Sequence, residues 1–353
     1  MEHNMCRAIL FILNSKVGEN MTKNRALTNP FIKWSLKIIS AVVAFSLLFL
    51  LIQSIFIPRF PGDSSTMVKE YSNLEENSVE ALFLGSSQMF CTIDSGKLTD
   101  EYGISSFNYG ASSQTLIMTQ YYFDQALKTQ SPQLIMIEIG QMFLSKADCT
   151  EKDLVWTYTP MPASTDKYRS LKNIFDGDRV KAAQYTFAPL LVYHDKWSSF
   201  CSQDIKNYID DKRDVDLKTY RRGFFKRDHV EEIEEIAYYS DDTAMKDIPR
   251  ENQEAIFYFA GQCKQRNIRL CFFKSPSSTW TKGESMSVKE FMSQNHLHFI
   301  DLNDHLEEIG IDQKTDFYNQ SHLNSSGAAK ATDYLGGLIQ SDALTDLSSP
   351  SIG

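Results

Sequence analysis

From Ile38 to Ile57 the chain is apolar except for Ser40, Ser46, Gln53 and Ser54, and no charge interrupts the run. A helix needs about 20 such residues to cross the hydrocarbon of a bilayer. The run also lacks the polar stripe of a helix lying on a globular core. It predicts a transmembrane anchor, which confines a folded domain to one side of a membrane. The arm before it carries Arg7, Lys16, Lys23, Arg25, Lys33 and Lys37 against Glu2 and Glu19, and basic flanks are retained in the cytoplasm. Residues 1–37 are therefore expected to form a cytoplasmic arm and 38–57 the single span in the cell membrane, with the main domain extracytoplasmic. Pro58-Arg59-Phe60-Pro61 offers no small-x-small cleavage pattern, so the anchor is expected to stay attached. Ala8 to Leu13 is too short to span, and Met21 opens a more conventional leader; translation is expected to start there.

The charge balance sharpens when divided at the membrane. The chain has 36 basic and 45 acidic residues, of which residues 1–59 hold 7 and 2, leaving 29 and 43 and a net charge of about −14 outside. A surface of that sign does not hold nucleic acid by bulk electrostatics. Cys6, Cys91, Cys149, Cys201, Cys263 and Cys271 form no CxxC pair and no zinc spacing. They read mostly as buried thiols, with a Cys149–Cys201 bridge left open as an alternative. His296, His298 and His305 lack the thiolate or carboxylate spacing that completes a zinc site. No metal and no cofactor is expected.

After a linker at 58–77, short apolar runs alternate with helical periodicity. Strands are predicted at Ala81–Leu84, Ser106–Tyr109, Leu134–Ile139, Ile268–Phe273 and His298–Leu302. Helices are predicted at 94–102, with Asp94 as cap and Gly103 as stop, and at 116–127, 255–263, 287–293 and 326–339. The run Leu134–Ile139 is apolar on both faces except for Glu138, as in a buried parallel strand. Repeated βα units predict an α/β fold, a three-layer α/β/α sandwich with a parallel sheet over residues 78–342, preceded by the one transmembrane helix. Residues 143–247 interrupt the pattern with aromatic and charged residues, and are expected to form a lid or substrate-binding insertion over the catalytic edge. The tail 343–353 is expected to be flexible.

The first strand runs directly into Gly85-Ser86-Ser87, a turn that leaves a hydroxyl at the C-terminal edge of the sheet, where open parallel sheets place their chemistry. Ser87 is the expected nucleophile. A serine needs a base, and His322, in Asn319-Gln320-Ser321-His322, has the best context among the histidines, since the helix that follows can hold its loop rigid. Backbone N–H groups at the start of a helix after Ser87 are available to an oxyanion. Lys274 follows a strand at the same edge and is expected to contact substrate, with a solvated loop lysine as the alternative. The run Lys218–Arg227 mixes charge with aromatic rings, which suits a glycan, phosphate head groups or a membrane partner; a plain exposed face is the alternative.

Leu84-Gly85-Ser86-Ser87, Phe107-Asn108-Tyr109-Gly110, Ile139-Gly140 and Asn319-Gln320-Ser321-His322, in that order, resemble the SGNH (GDSL-like) hydrolase superfamily. More narrowly they resemble its membrane-anchored extracytoplasmic branch, which includes DltD-like and polysaccharide O-acetyltransferase-associated proteins. The resemblance covers residues of about 80–140 and 255–340. It implies Ser87 as nucleophile and His322 as base, with the N–H groups of Ser87 and Gly110 in the oxyanion hole. Three departures stand out. Ser86 replaces the family's Asp. Met142 stands where the family's oxyanion Asn would be, leaving Gln141 as its substitute. Asn319 occupies the usual place of the triad Asp, with Asp316 six residues before His322; Asn319 is favoured by position and Asp316 by charge.

The resemblance implies a serine esterase or O-acyltransferase that transfers or hydrolyses acyl (acetyl) esters on a cell-surface glycopolymer or an acylated small molecule. It also implies a membrane-bound O-acyltransferase as partner. The alternatives are a carbohydrate or lipid esterase and a catalytically impaired binding or assembly subunit of a cell-envelope acylation system.

Overall fold

The computed structural model describes residues 30–57, 64–193, 196–210, 220–230, 242–341 and 344. The arm before residue 30, the expected start at Met21, Lys218 and Thr219 of the basic run and the tail from 345 lie outside the described residues. The chain divides into two units, Met1–Ser54 and Ile55–Gly353. Helix α1, Pro30–Phe56, is long and apolar enough to cross a membrane. It starts earlier than the expected span because Pro30 suits a first helical turn and because the apolar pattern already begins with Phe31, Ile32 and Trp34.

In the second unit, five apolar runs form one parallel sheet: β1 (Ala81–Gly85), β2 (Ser106–Gly110), β3 (Leu134–Glu138), β6 (Arg269–Lys274) and β7 (Phe299–Asp301). Every residue of β1, β2 and β3 is buried, as expected of strands covered on both faces. The order is β2-β1-β3-β6-β7, so the chain reverses its direction of travel at β1. The crevice at such a reversal, outside the carboxyl ends of the strands, is where doubly wound sheets place ligands.

Helices cover the sheet in two groups. In one, α5 (Leu116–Ala126) packs on α12 (Arg250–Gln265), with the Phe123 and Phe259 rings 5.1 Å apart. In the other, α15 (Ser325–Gln340) packs on α3 (Ser87–Thr92) and α4 (Ser95–Tyr102). This is the expected three-layer α/β sandwich. The predicted helices at 255–263 and 287–293 extend to 250–265 and, as α13, to Lys282–Gln294, and a short α14 (Leu306–Ile309) follows. Thr281 and Glu284 form a capping box at the start of α13.

The linker expected at 58–77 is corrected in its described part. Ser64–Ser72 is a helix, α2, that buries Met67 and Tyr71 against the sheet, with the Tyr71 ring stacked 4.0 Å from Tyr109. The reason lies in β2, an edge strand whose outward N–H groups need cover. Gly110 N–H donates to Met67 Sδ at 3.0 Å, and Asn108 N–H donates to the Arg222 carbonyl at 3.0 Å.

The insertion is mostly helical: α6 (Glu151–Tyr158), α7 (Thr165–Ile174), α8 (Arg179–Phe187), α9 (Pro189–Val192), α10 (Lys196–Ser199) and α11 (Ser202–Asp210). Helix α7 packs on α5. A two-stranded arm follows, β4 (Tyr220–Arg221) and β5 (Phe224–Phe225), and β5 packs on α3, the helix that follows the carboxyl end of β1. The arm is tied down by Gly223, where a side chain would collide with the Asn108 backbone, and by Glu70, which accepts the N–H groups of Arg222 and Gly223. No disulfide joins the described cysteines; Cys149 is half-buried and Cys201 exposed, and the Cys149–Cys201 bridge is absent.

Candidate active site

Strand β1 ends at Gly85, whose φ of +147° suits glycine. A side chain there would sit 2.9 Å from Glu138 Cβ. Its sheet neighbour Gly110 has no room for a side chain either, because a Cβ would collide with the Gly85 carbonyl oxygen. The two glycines let the chain turn closely out of the sheet. Ser86 then caps α3, accepting the Gln88 N–H at 3.4 Å, and Ser87 is the first residue of that helix.

On the facing side, β8 (Phe317–Asn319) and β9 (His322–Leu323) form a short hairpin in which Asn319 pairs with His322. Ser87 Oγ lies 2.7 Å from His322 Nε2, and His322 Nδ1 lies 2.8 Å from Asn319 Oδ1. The Ser321 N–H donates to the same Oδ1 at 3.0 Å. A backbone N–H can only donate, so that atom is the amide oxygen, and Nδ1 must carry the ring proton that it accepts. Nε2 is then the acceptor facing the Ser87 hydroxyl. Burial lowers the His322 pKa to about 4, with the positive charges of Arg227 and Lys274 adding to the effect. The imidazole is neutral at pH 7 and able to take a proton.

Asp316 does not reach this relay. Its buried carboxylate accepts the Asp312 N–H at 2.7 Å and Lys330 Nζ at 2.6 Å. It ties the loop before β8 to α15. Of the two candidates for orienting His322, Asn319 holds the position because the hairpin puts the two residues opposite one another.

Lys274 is corrected from substrate contact to buried support. Its side chain is 1% exposed and lies 3.4 Å from Glu138 Oε1. Nζ also donates to Gln88 Oε1 and to the Ser275 carbonyl, both at 2.8 Å. The cation thus holds the side chain next to Ser87 rather than facing solvent. Glu138 in an apolar run was the sequence signal, because a carboxylate buried in a strand needs a partner.

Gly110 is corrected likewise. Alternate N–H groups of an edge strand point outward, and that of Gly110 is directed to Met67 on the side away from β1. It cannot face an oxyanion at Ser87. The Met142 side chain is buried, and its carbonyl is held by Asn252 Nδ2 at 2.7 Å. Gln141 lies half-buried in the turn after β3. The Ser87 N–H, in the first turn of α3, belongs to the donors that a helix leaves without an intrahelical partner.

In the sequence Arg227 is only the last residue of a charged and aromatic run. In the fold its guanidinium lies 4.4 Å from the Phe225 ring centroid and 4.5 Å from that of Tyr318, and Nε donates to Cys91 Sγ at 3.3 Å. His296 and His298, by contrast, line a cavity of about 360 Å³ beside the first residues of β3 and β6, at the opposite edge of the sheet. His305 bonds Glu308 at 3.0 Å.

No protein-family model matches the sequence, and no curated protein matches it. A solved structure of a Bacteroides fragilis protein described as a "putative acylhydrolase" is 11% identical, and the match covers 82% of this chain and 100% of that one, with a TM-score of 0.36. So slight a likeness transfers no chemistry.

Proposed function

We propose that this chain is a membrane-anchored serine acyl-enzyme protein of SGNH type, acting on esters outside the cytoplasmic membrane. The observation that supports it is the continuous relay from Ser87 Oγ to His322 Nε2 and from Nδ1 to Asn319 Oδ1, with distances of 2.7 and 2.8 Å. The neutral imidazole takes the Ser87 proton as Oγ attacks the ester carbonyl, and the Ser87 N–H is offered to the developing oxyanion. Collapse of the tetrahedral species breaks the bond to the alcohol, which leaves with the proton from Nε2. An acyl-Ser87 remains. His322 then deprotonates water or an acceptor hydroxyl, which takes the acyl group and restores Ser87. Asn319 holds the tautomer throughout without adding charge.

The apolar helix and the basic residues before it support an anchor with the domain outside. That setting favours O-acyl (acetyl) transfer to a surface glycopolymer beside a membrane-bound O-acyltransferase over release of a free acid. The test is a fluorophosphonate probe on the full-length chain in detergent, followed by p-nitrophenyl acetate with and without added glycan. Labelling of Ser87 that is lost in His322→Ala, and acetate appearing on the glycan, support the reading. An unlabelled Ser87 rejects it.

A second reading, a non-catalytic assembly subunit, is favoured by the Gly110 N–H being committed to Met67 and by the apolar Met142 at the family's Asn position. The same labelling experiment separates the two.

A further inference from the structure

The serine acyl-enzyme reading leaves one charge unbalanced. Attack by Ser87 turns His322 into a cation, and its partner Asn319 is neutral. Among the described residues, the carboxylates Glu138 and Asp316 are engaged by Lys274 and Lys330. Arg227 adds another positive charge close enough to disfavour the imidazolium. Among the described residues no carboxylate lies within 4 Å of the Arg227 guanidinium; its contacts are two aromatic faces and a sulfur atom.

This guanidinium is also held in place. Its backbone is clamped to the start of α15 by two bonds, Arg227 N–H to Ser325 Oγ at 3.0 Å and Ser325 N–H to the Arg227 carbonyl at 2.8 Å. Cys91, which receives Nε, is the residue one helical turn beyond Ser87, so the two share a face of α3 with their Cβ atoms about 6 Å apart. With Nε spent on Cys91, the planar fork retains its two NH2 groups, the geometry that binds carboxylate or phosphate in a bidentate manner.

We propose that Arg227 is a specificity residue that binds an oxyanion carried by the substrate, so that the ester handled by Ser87 is an anionic one. The bound anion neutralises Arg227 and offsets the positive charge that forms on His322. This rests on the acyl-enzyme reading of Ser87.

The full-length chain in detergent is assayed with 4-nitrophenyl hemisuccinate and 4-nitrophenyl butyrate, esters of equal acyl length that differ in a terminal carboxylate. The readout is the ratio of their kcat/KM values, which partial loss of fold does not change. The ratio is expected to favour the hemisuccinate by about tenfold to a hundredfold, the scale of a charged hydrogen bond. It should fall to about one in Arg227→Gln, with Arg227→Lys between. A wild-type ratio near one, or a preference that survives Arg227→Gln, overturns the proposal while leaving the acyl-enzyme intact. Should Ser87 neither turn over an ester nor react with a fluorophosphonate, the acyl-enzyme reading fails, and calorimetry on the Ser87→Ala chain decides the role of Arg227. Binding of monomethyl succinate or methyl phosphate that is lost on adding Arg227→Gln supports the anion site and tells a carboxylate ligand from a phosphate. Absence of binding by both overturns it.

Discussion

Asn319 and His322 face one another across the β8–β9 hairpin, with Oδ1 2.8 Å from Nδ1. The amide fixes the ring tautomer but itself supplies no counter-charge to the imidazolium. Asn319→Ala is expected to lower kcat about a hundredfold, within the range of general-base contributions, and Asn319→Asp to raise it. Asp316→Asn is expected to leave kcat within a few-fold, because Asp316 is bonded to Asp312 and Lys330. Steady-state ester hydrolysis by the three variants checks the assignment; loss of turnover in Asp316→Asn with Asn319→Ala active would reverse it.

The pH profile of kcat/KM should show an acid limb near 4, not near the ordinary histidine value of 6.5. The sign follows from the role: the base must be unprotonated, burial and the neighbouring cations disfavour its proton, and activity is retained until pH falls through the lowered pKa. Arg227→Gln removes one of those cations and is expected to shift the limb upward. A wild-type limb at 6.5 would show His322 to be solvated instead.

Gly110→Ala is expected to destabilise the domain, since the new methyl group meets the Gly85 carbonyl of the adjacent strand and neither backbone can move alone. Overpacking of this kind costs about 1–3 kcal/mol, which lowers Tm by several degrees. Gly103→Ala should cost less: its φ of +68° carries strain, but a Cβ there meets nothing within 4 Å. Thermal melts of the two variants compare a backbone collision with a conformational penalty alone.

The buried pair Lys274–Glu138 predicts asymmetric coupling. Lys274→Met alone strands a carboxylate in the core and is expected to cost about 3–5 kcal/mol, whereas the double variant with Glu138→Leu should recover a large part of that loss. Denaturant unfolding measures both. If the single and double variants are equally destabilised, Lys274 acts by packing rather than by charge.

Much of the scaffold was legible because its signals are local. Leu82–Leu84 and Leu134–Ile137 are continuous apolar runs, and the Asp94 cap and Gly103 stop bracket α4 as expected. The 64–72 helix was not legible: only Met67, Val68 and Tyr71 in it are apolar, too few to set a helical period. What makes it fold is the uncovered edge of β2, which no short window reveals. Ser87 and His322 could be named from turn and motif context. The role of Arg227 could not, because it depends on Phe225, Tyr318 and Cys91 meeting from three separate segments.

By itself the sequence determined an apolar helix, the alternation of strands and helices, and a serine at the end of the first strand, since each follows from the periodicity and turn chemistry of neighbouring residues. Only the tertiary structure decided the supporting roles. It aimed the Gly110 N–H away from Ser87, buried Lys274 beneath it, gave His322 to Asn319 rather than Asp316, and set Arg227 beside the relay. Those outcomes depend on which groups face one another across the sheet edge, where a donor's direction and a charge's burial are properties of the packed fold and not of the chain order.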